Sequence, residues 1–199
     1  MPSRSERPQV AVLISGAGSL LRTLIEASQD GRLAVELVGV GADRVASGLI
    51  WAERAGLPNF VLPLTDATDR AEWDRVLTRR VAQWEPDLVV SAGFMRLFGP
   101  AFLARFAGRC LNTHPSLLPS FPGRGAVRQA LAAGVKLTGC TVFQVDAGVD
   151  TGPIVAQAGV PVRPGDDEAT LHERIKIEER QLLVDVIREW PFGRRGDYD

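Results

Sequence analysis

Gln9-Val10-Ala11-Val12-Leu13-Ile14-Ser15-Gly16-Ala17-Gly18-Ser19-Leu20 is the stretch on which the fold turns. Its first part is a nearly continuous apolar run, the pattern of a strand buried on both faces of a parallel sheet. The run breaks at Gly16–Ser19. A helix is predicted from about Leu20 to Ser28, with Leu21, Leu24 and Ile25 at helical spacing and Asp30-Gly31 closing it. Strand, glycine turn and helix in that order make the first half of a βαβ unit.

Working outward, the alternation repeats. Strands are predicted at Ala34–Val40, Asn59–Pro63, Asp87–Ser91 and Cys110–Asn112. Helices are predicted near Ser47–Ala55, over Asp69–Glu85 and at Pro100–Phe106. Such a succession implies a single α/β domain built on a doubly wound, mostly parallel sheet. After Pro119 the pattern changes. Turn chemistry at Ser120–Gly125 leads to a helix at Ala126–Ala133, then to two strands, Thr138–Val145 and Ile154–Val162, that pair antiparallel as an extension of the sheet. Asp166-Asp167-Glu168 opens a last helix running to about Trp190, its acids placed favourably at the N-terminus. The ends, 1–8 and 191–199, are expected to fray.

The chain has 199 residues, 45% apolar and 24% charged, with a net charge of −1. One domain with a substantial core follows. The charge offers no field for nucleic acid or an anionic membrane, and no apolar run approaches the ~20 residues that span a bilayer. Cys110 and Cys140 sit in apolar contexts without metal-ligand spacing and read as buried free thiols. The polar N-terminus has no apolar signal core, so a cytoplasmic protein is expected.

Chemistry concentrates in Leu111-Asn112-Thr113-His114-Pro115, which holds one of only two histidines. In extended backbone, Asn112 and His114 point to the same face. Pro115 lacks an N–H and ends the ladder. An amide and an imidazole therefore stand side by side at the mouth of a strand, where open α/β sheets bind ligands. A lone histidine there is more often structural. The second segment that shifts the balance is Val145–Ile154, a turn-rich loop carrying Asp146 and Asp150. An aspartate against His114 would favour its imidazolium form. Asp150, between Gly148 and Gly152, is the better candidate.

The Gly16–Ser19 turn resembles a phosphate cradle, because backbone N–H groups at a helix N-terminus point outward. It fails as a dinucleotide fingerprint. Leu21 occupies the third glycine position, and no acid ends the second strand, whose end lies near Val40-Gly41. A single phosphate monoester fits better, and a tight turn with no ligand fits this loop equally well.

Together, Leu13-Ile14-Ser15-Gly16-x-Gly18-Ser19, Ala92–Arg96, Asn112–Pro119 and Asp150-x-Gly152-Pro153-Ile154 resemble the phosphoribosylglycinamide formyltransferases, folate-dependent enzymes of purine synthesis. The resemblance runs from about Val10 to Trp190. It implies catalytic roles for Asn112, His114 and Asp150, and a phosphate held by Gly18, Ser19 and Leu20. It also implies that Lys176, Ile177, Glu178 and Glu179 approach glycinamide ribonucleotide, with Glu179 on the ribose. The folate, 10-formyltetrahydrofolate as cosubstrate, would be walled by Met95, Arg96, Leu97 and Phe98 and by Asp146, Ala147, Gly148, Val149 and Asp150, with Arg70 meeting its glutamate end. Arg70 as a solvated helix charge and Glu179 as half of a surface ion pair are the plainer alternatives. No metal is implied. The implied partners are small molecules, with no nucleic acid and no membrane, and a homodimer is open. The chain departs from the pattern at Ala17 and Leu20, where asparagine is common, and at Gly125, where many members carry a second histidine. Its tail beyond Trp190 is also shorter than in many relatives. Within the wider group, a formyltetrahydrofolate hydrolase or a formyltransferase of initiator methionyl-tRNA would need a further domain. A non-catalytic nucleotide-binding module is the rival from another class.

Overall fold

In a computed structural model, which describes residues 7–65 and 69–192, the first apolar run forms β1 (Gln9–Ile14), the central strand of the parallel half of one sheet. The other strands are β2 (Glu36–Ala42), β3 (Asn59–Val61), β4 (Leu88–Ser91), β5 (Cys110–His114), β6 (Leu137–Gln144) and β7 (Ile154–Pro161). Their order is β3-β2-β1-β4-β5-β6-β7. Pairings are parallel through β5, whereas β5–β6 and β6–β7 are antiparallel. The doubly wound sheet with an antiparallel extension is therefore the observed architecture.

Alternation along β1 divides the core. Val10, Val12 and Ile14 join one apolar layer with α1 (Ser19–Gln29), α2 (Leu49–Arg54) and α6 (Glu168–Glu189). Ala11 and Leu13 join the other with α3 (Arg70–Ala82) and α4 (Pro100–Arg105). The helix α5 (Ala126–Ala132) packs with α6 over β6 and β7. Asp167 caps α6 through a reciprocal pair with Thr170, so the acidic run does start that helix.

Two local rules misplace residues. The second strand does not stop at Val40. It begins two residues later than expected and continues through Gly41 to Ala42, which puts Asp43 at its end. The glycines there are not breakers. A Cβ at Gly39 would lie 2.2 Å from the Trp84 ring, and one at Gly41 would lie 2.7 Å from Leu13 and Phe60, so both mark close approach across the strand. The fifth strand likewise runs to His114, which lies within the ladder opposite Thr141. Of the ends expected to fray, 1–6 and 193–199 lie outside the described residues. Next to them, Pro8 accepts a hydrogen bond from the Glu36 amide and Phe192 packs on the core.

The segment between β4 and α4 is held from its buried side. Phe94 and Phe98 belong to a chain of stacked rings, Trp73–Phe94–Phe98–Phe102, with centroids 6.4, 5.5 and 4.2 Å apart. The Asp74 carboxylate on α3 accepts from the Gly99 and Ala101 amides at 2.8 Å, capping α4 from a neighbouring helix.

Candidate active site

Register brings three strand ends to one edge, for Leu13 pairs with Ser91 and Ser91 with Asn112. The chain leaves β1 toward β2 on one side, while β4 lies on the other. This is the point where an open α/β sheet forms a crevice. A cavity of about 690 Å³ opens here, within the range of small-molecule sites. Its walls are the segment Gly93–Phe98, the strand residues Asn112–His114, the turn Gly123–Ala126 and the loop Val145–Asp150.

The two predicted segments meet at His114, which is 6% exposed. Its Nδ1 lies 3.3 Å from the Asp150 carboxylate, and its Nε2 lies 2.8 Å from the Phe121 carbonyl oxygen. Both ring nitrogens thus face acceptors. A neutral imidazole can donate to only one of them, and the imidazolium to both. Asp150 is fixed in turn: its carboxylate accepts from the Gly123 amide at 2.8 Å, and its backbone takes φ +56°. Asn112 lines the same cavity, and among the described residues no hydrogen bond ties its side-chain amide.

Asp146 accepts from the Gly148 amide and from the Thr151 hydroxyl at 2.9 Å, an ordinary turn arrangement. Of the two acids, only Asp150 reaches His114. The glycines beside it are also demanded by the loop's own packing. A Cβ at Gly152 would sit 1.7 Å from the Gln144 carbonyl, and one at Gly148 would sit 1.9 Å from the Thr151 hydroxyl.

The Gly16–Ser19 turn lies at the same strand edge. Gly18 is the N-cap of α1 with φ +69°, and the first helical bond runs from the Arg22 amide to the Gly18 carbonyl. The amides of Ser19, Leu20 and Leu21 precede it and have no intrahelical acceptor. The loop's carbonyls point the other way. Gly16 accepts from the Gly48 amide at 3.0 Å, and Ala17 accepts from the Trp51 indole at 3.2 Å. Unpaired donors at a helix N-terminus, with the loop's acceptors turned aside, suit an anion.

Met95, Arg96, Leu97 and Phe98 line the cavity, as do Asp146, Ala147, Gly148, Val149 and Asp150. Met95 and Leu97 remain more than half exposed. Arg70 does not line it. Its guanidinium stacks 4.5 Å over Trp73 and donates to the Leu97 carbonyl, so it braces the wall from outside and is not simply a solvated charge.

On α6, Glu179 is 8% exposed and pairs with the Thr113 hydroxyl on the face of β5 opposite His114. It is not half of a surface ion pair. Burial pushes its carboxyl above the ordinary range, against the pull of Thr113 and of the nearby His114, Arg180 and Lys176. Lys176 pairs with Glu173. Ile177 and Glu178 lie beside a separate shallow depression with Thr23, Glu26 and Arg32.

Sequence reasoning missed the Phe121 carbonyl, the Gly123 amide, Gly48, Trp51 and the acid that ends β2. Backbone atoms carry no letter in a sequence. Asp43 could have been found by letting the second strand run to its first charged residue. Its side chain is wholly buried. Burial acts to raise its pKa, but hydrogen bonds from Arg44, Ser15 and Arg96 outweigh that and hold it below the usual carboxylate range. With its oxygens so engaged, Asp43 offers no ribose contact, and the case against a dinucleotide stands on a different ground.

Comparison with known proteins agrees along nearly the whole chain. A phosphoribosylglycinamide formyltransferase of Mycobacterium tuberculosis is 56% identical over 179 residues, 90% of this chain and 83% of that protein. The enzyme of that name from Escherichia coli is 39% identical, over 93% of this chain and 88% of its own length. Among solved structures, glycinamide ribonucleotide transformylase 1 from Symbiobacterium toebii superposes with a TM-score of 0.89 at 42% identity, covering 94% of this chain and 89% of that one. Residues 8–187 match the formyl transferase family, and the chain belongs to that family.

Proposed function

We propose that this enzyme transfers the formyl group of 10-formyltetrahydrofolate to the amine of glycinamide ribonucleotide in purine synthesis. The observation that carries the reading is His114, held between the Asp150 carboxylate and the Phe121 carbonyl beside the untethered amide of Asn112 in a cavity of about 690 Å³. The family and the close relatives support it.

The residue types suit the reaction. Attack of an amine on a formyl carbon puts negative charge on oxygen and positive charge on nitrogen. Asn112 donates a hydrogen bond to that oxygen as it forms. His114, protonated on both nitrogens, stabilises the same charge, supplies a proton to the departing folate nitrogen through the ring nitrogen with the longer contact, that to Asp150, and takes back the proton that the attacking nitrogen loses. Asp150 orients the ring. The amides of Gly18, Ser19 and Leu20 hold the substrate phosphate. Glu179 approaches the ribose, with Lys176, Ile177 and Glu178 along the same helix. Met95–Phe98 and Asp146–Asp150 enclose the pterin, and Arg70 meets the glutamate end. The partners are these two small molecules. A homodimer is checked by light scattering at assay concentration.

The test is spectroscopic detection of tetrahydrofolate release from the 10-formyl derivative. Release that requires glycinamide ribonucleotide supports transfer. Release at the same rate without it would make the enzyme a hydrolase, and none in either case would leave a binding module.

A further inference from the structure

Gly93–Phe98 forms a wall of the cavity without being helix or strand, so something other than a ladder must fix its polar side. Its apolar side is fixed by the stacked rings of Phe94 and Phe98. On the polar side, two consecutive residues are held, and both lines lead to one carboxylate. The Arg96 guanidinium donates through Nε to Asp43 Oδ2 at 2.8 Å. The Met95 amide donates to Ser15 Oγ at 2.8 Å, and the Ser15 hydroxyl in turn donates to Asp43. Arg44, another cavity residue, grips the same carboxylate with Nε at 3.0 Å and Nη2 at 2.7 Å.

The topology explains the convergence. Ser15 and Asp43 follow Ile14 and Ala42, which pair across β1 and β2. The segment after β4 lies on the other side of β1. Ser15 is therefore the middle of a bridge that crosses the crevice at the strand edge. Met95 donates to Ser15, while Ser15, Arg96 and Arg44 all donate to Asp43, whose carboxylate is the one anionic acceptor of the bridge, so nothing in it substitutes for that charge.

We propose that Asp43 is a positioning residue for the formyl donor, its carboxylate holding Met95 and Arg96 in place across the crevice through Ser15 and the Arg96 guanidinium. The proposal rests on the reading of this cavity as the donor site. Asp43 touches no substrate. It acts on affinity for the donor, while the chemistry at His114 on the far wall is left alone. An asparagine at this position keeps the shape but turns an NH₂ toward guanidinium donors, which unseats one side of the bridge.

Steady-state kinetics on Asp43→Asn and Ser15→Ala, with donor and ribonucleotide varied separately, test this. Asp43→Asn should raise KM for 10-formyltetrahydrofolate roughly tenfold, the scale of one charged hydrogen bond, with kcat little changed. Ser15→Ala should raise it less, and the double variant should fall short of the product of the two effects because both act on one bridge. A folded Asp43→Asn protein that melts earlier but keeps the parent's donor KM overturns the proposal, as does one that loses kcat alone. If Asp43→Asn does not fold, Ser15→Ala decides, and an unchanged donor KM there overturns it equally. Val149→Trp, which fills the cavity from the opposite wall, separates the two layers. Raised donor KM in Val149→Trp but not in Asp43→Asn removes the positioning role alone. No effect in either removes the cavity reading and the proposal with it.

Discussion

The His114 cluster and the Gly16–Ser19 turn stand at the same edge of the sheet and are made of different material. The cluster is built from side chains: a buried imidazole 3.3 Å from a carboxylate, with an amide beside them. The turn is built from backbone. Its unpaired groups are N–H donors ahead of the first helical bond, and the neighbouring Gly48 and Trp51 engage its carbonyls. The first region should fail when a side chain is removed. The second should fail when a side chain is added.

Removal at the cluster gives the largest expected effect. His114→Ala should lower kcat by roughly a hundredfold or more, the scale of a general acid, with ribonucleotide binding retained in calorimetry. Near-normal turnover in the folded variant would break the comparison at once, because it would reduce His114 to a structural residue.

Addition at the turn comes next. Gly18 has φ +69°, and a Cβ on it would lie 3.0 Å from Gly48 Cα. Gly18→Val should weaken ribonucleotide binding about tenfold or more through strain at a left-handed position. Gly48→Ala sharpens the point. Its Cβ would lie 2.7 Å from the Gly16 carbonyl and 2.8 Å from Gly18 Cα, backbone atoms that cannot step aside. A methyl group on a residue that touches no ligand should therefore reproduce the binding defect. Parent-like affinity in both variants, shown folded, would place the phosphate elsewhere.

The same contrast explains what could be read from the sequence. That Asn112, His114 and Asp150 meet at one cavity was legible because their letters carry polar chemistry and the strand period sets the direction of the first two. The parallel sheet was legible from apolar runs such as Val10–Ile14 and Leu88–Val90. The Phe121 carbonyl and the Gly123 amide were not, since any residue would supply them. Gly41 looked like a strand end, and only the Leu13 and Phe60 side chains packed over it make it an interior position. That misreading hid Asp43, a buried carboxylate whose partners Ser15 and Arg96 are 28 and 53 residues away in sequence.

Charge offers a third way to separate the regions. Glu179 lies behind the cluster with its carboxyl pushed up, burial being the main cause. A raised carboxyl pKa means that the fold favours the protonated form. The stabilisation is complete below the unfolded-state pKa and is lost as pH rises through the folded-state value. Glu179→Gln keeps the shape without the ionisation, so its urea midpoint relative to the parent should climb as pH is raised beyond the ordinary carboxylate range. A constant difference at all pH values would mean that Glu179 carries its charge at no cost. The turn has no titrating side chain, so Gly48→Ala should show no comparable drift.

The smallest effect is the one that tests how far the turn depends on backbone. Ser19 is the first residue of α1 and exposed, and its hydroxyl is the one side-chain group in the turn able to reach a phosphate. Ser19→Ala leaves the amides of Gly18, Ser19 and Leu20 in place. It removes a single donor, worth ~1 kcal/mol, or somewhat more toward a charged acceptor. Ribonucleotide affinity measured by calorimetry should fall about fivefold, less than in Gly18→Val or Gly48→Ala. The order matters more than the size. A loss in Ser19→Ala that exceeded both glycine variants would mean that a hydroxyl, not the helix N-terminus, holds the phosphate. The turn would then be a side-chain site like its neighbour, and the departures at Ala17 and Leu20 would have to be made good by some other polar group.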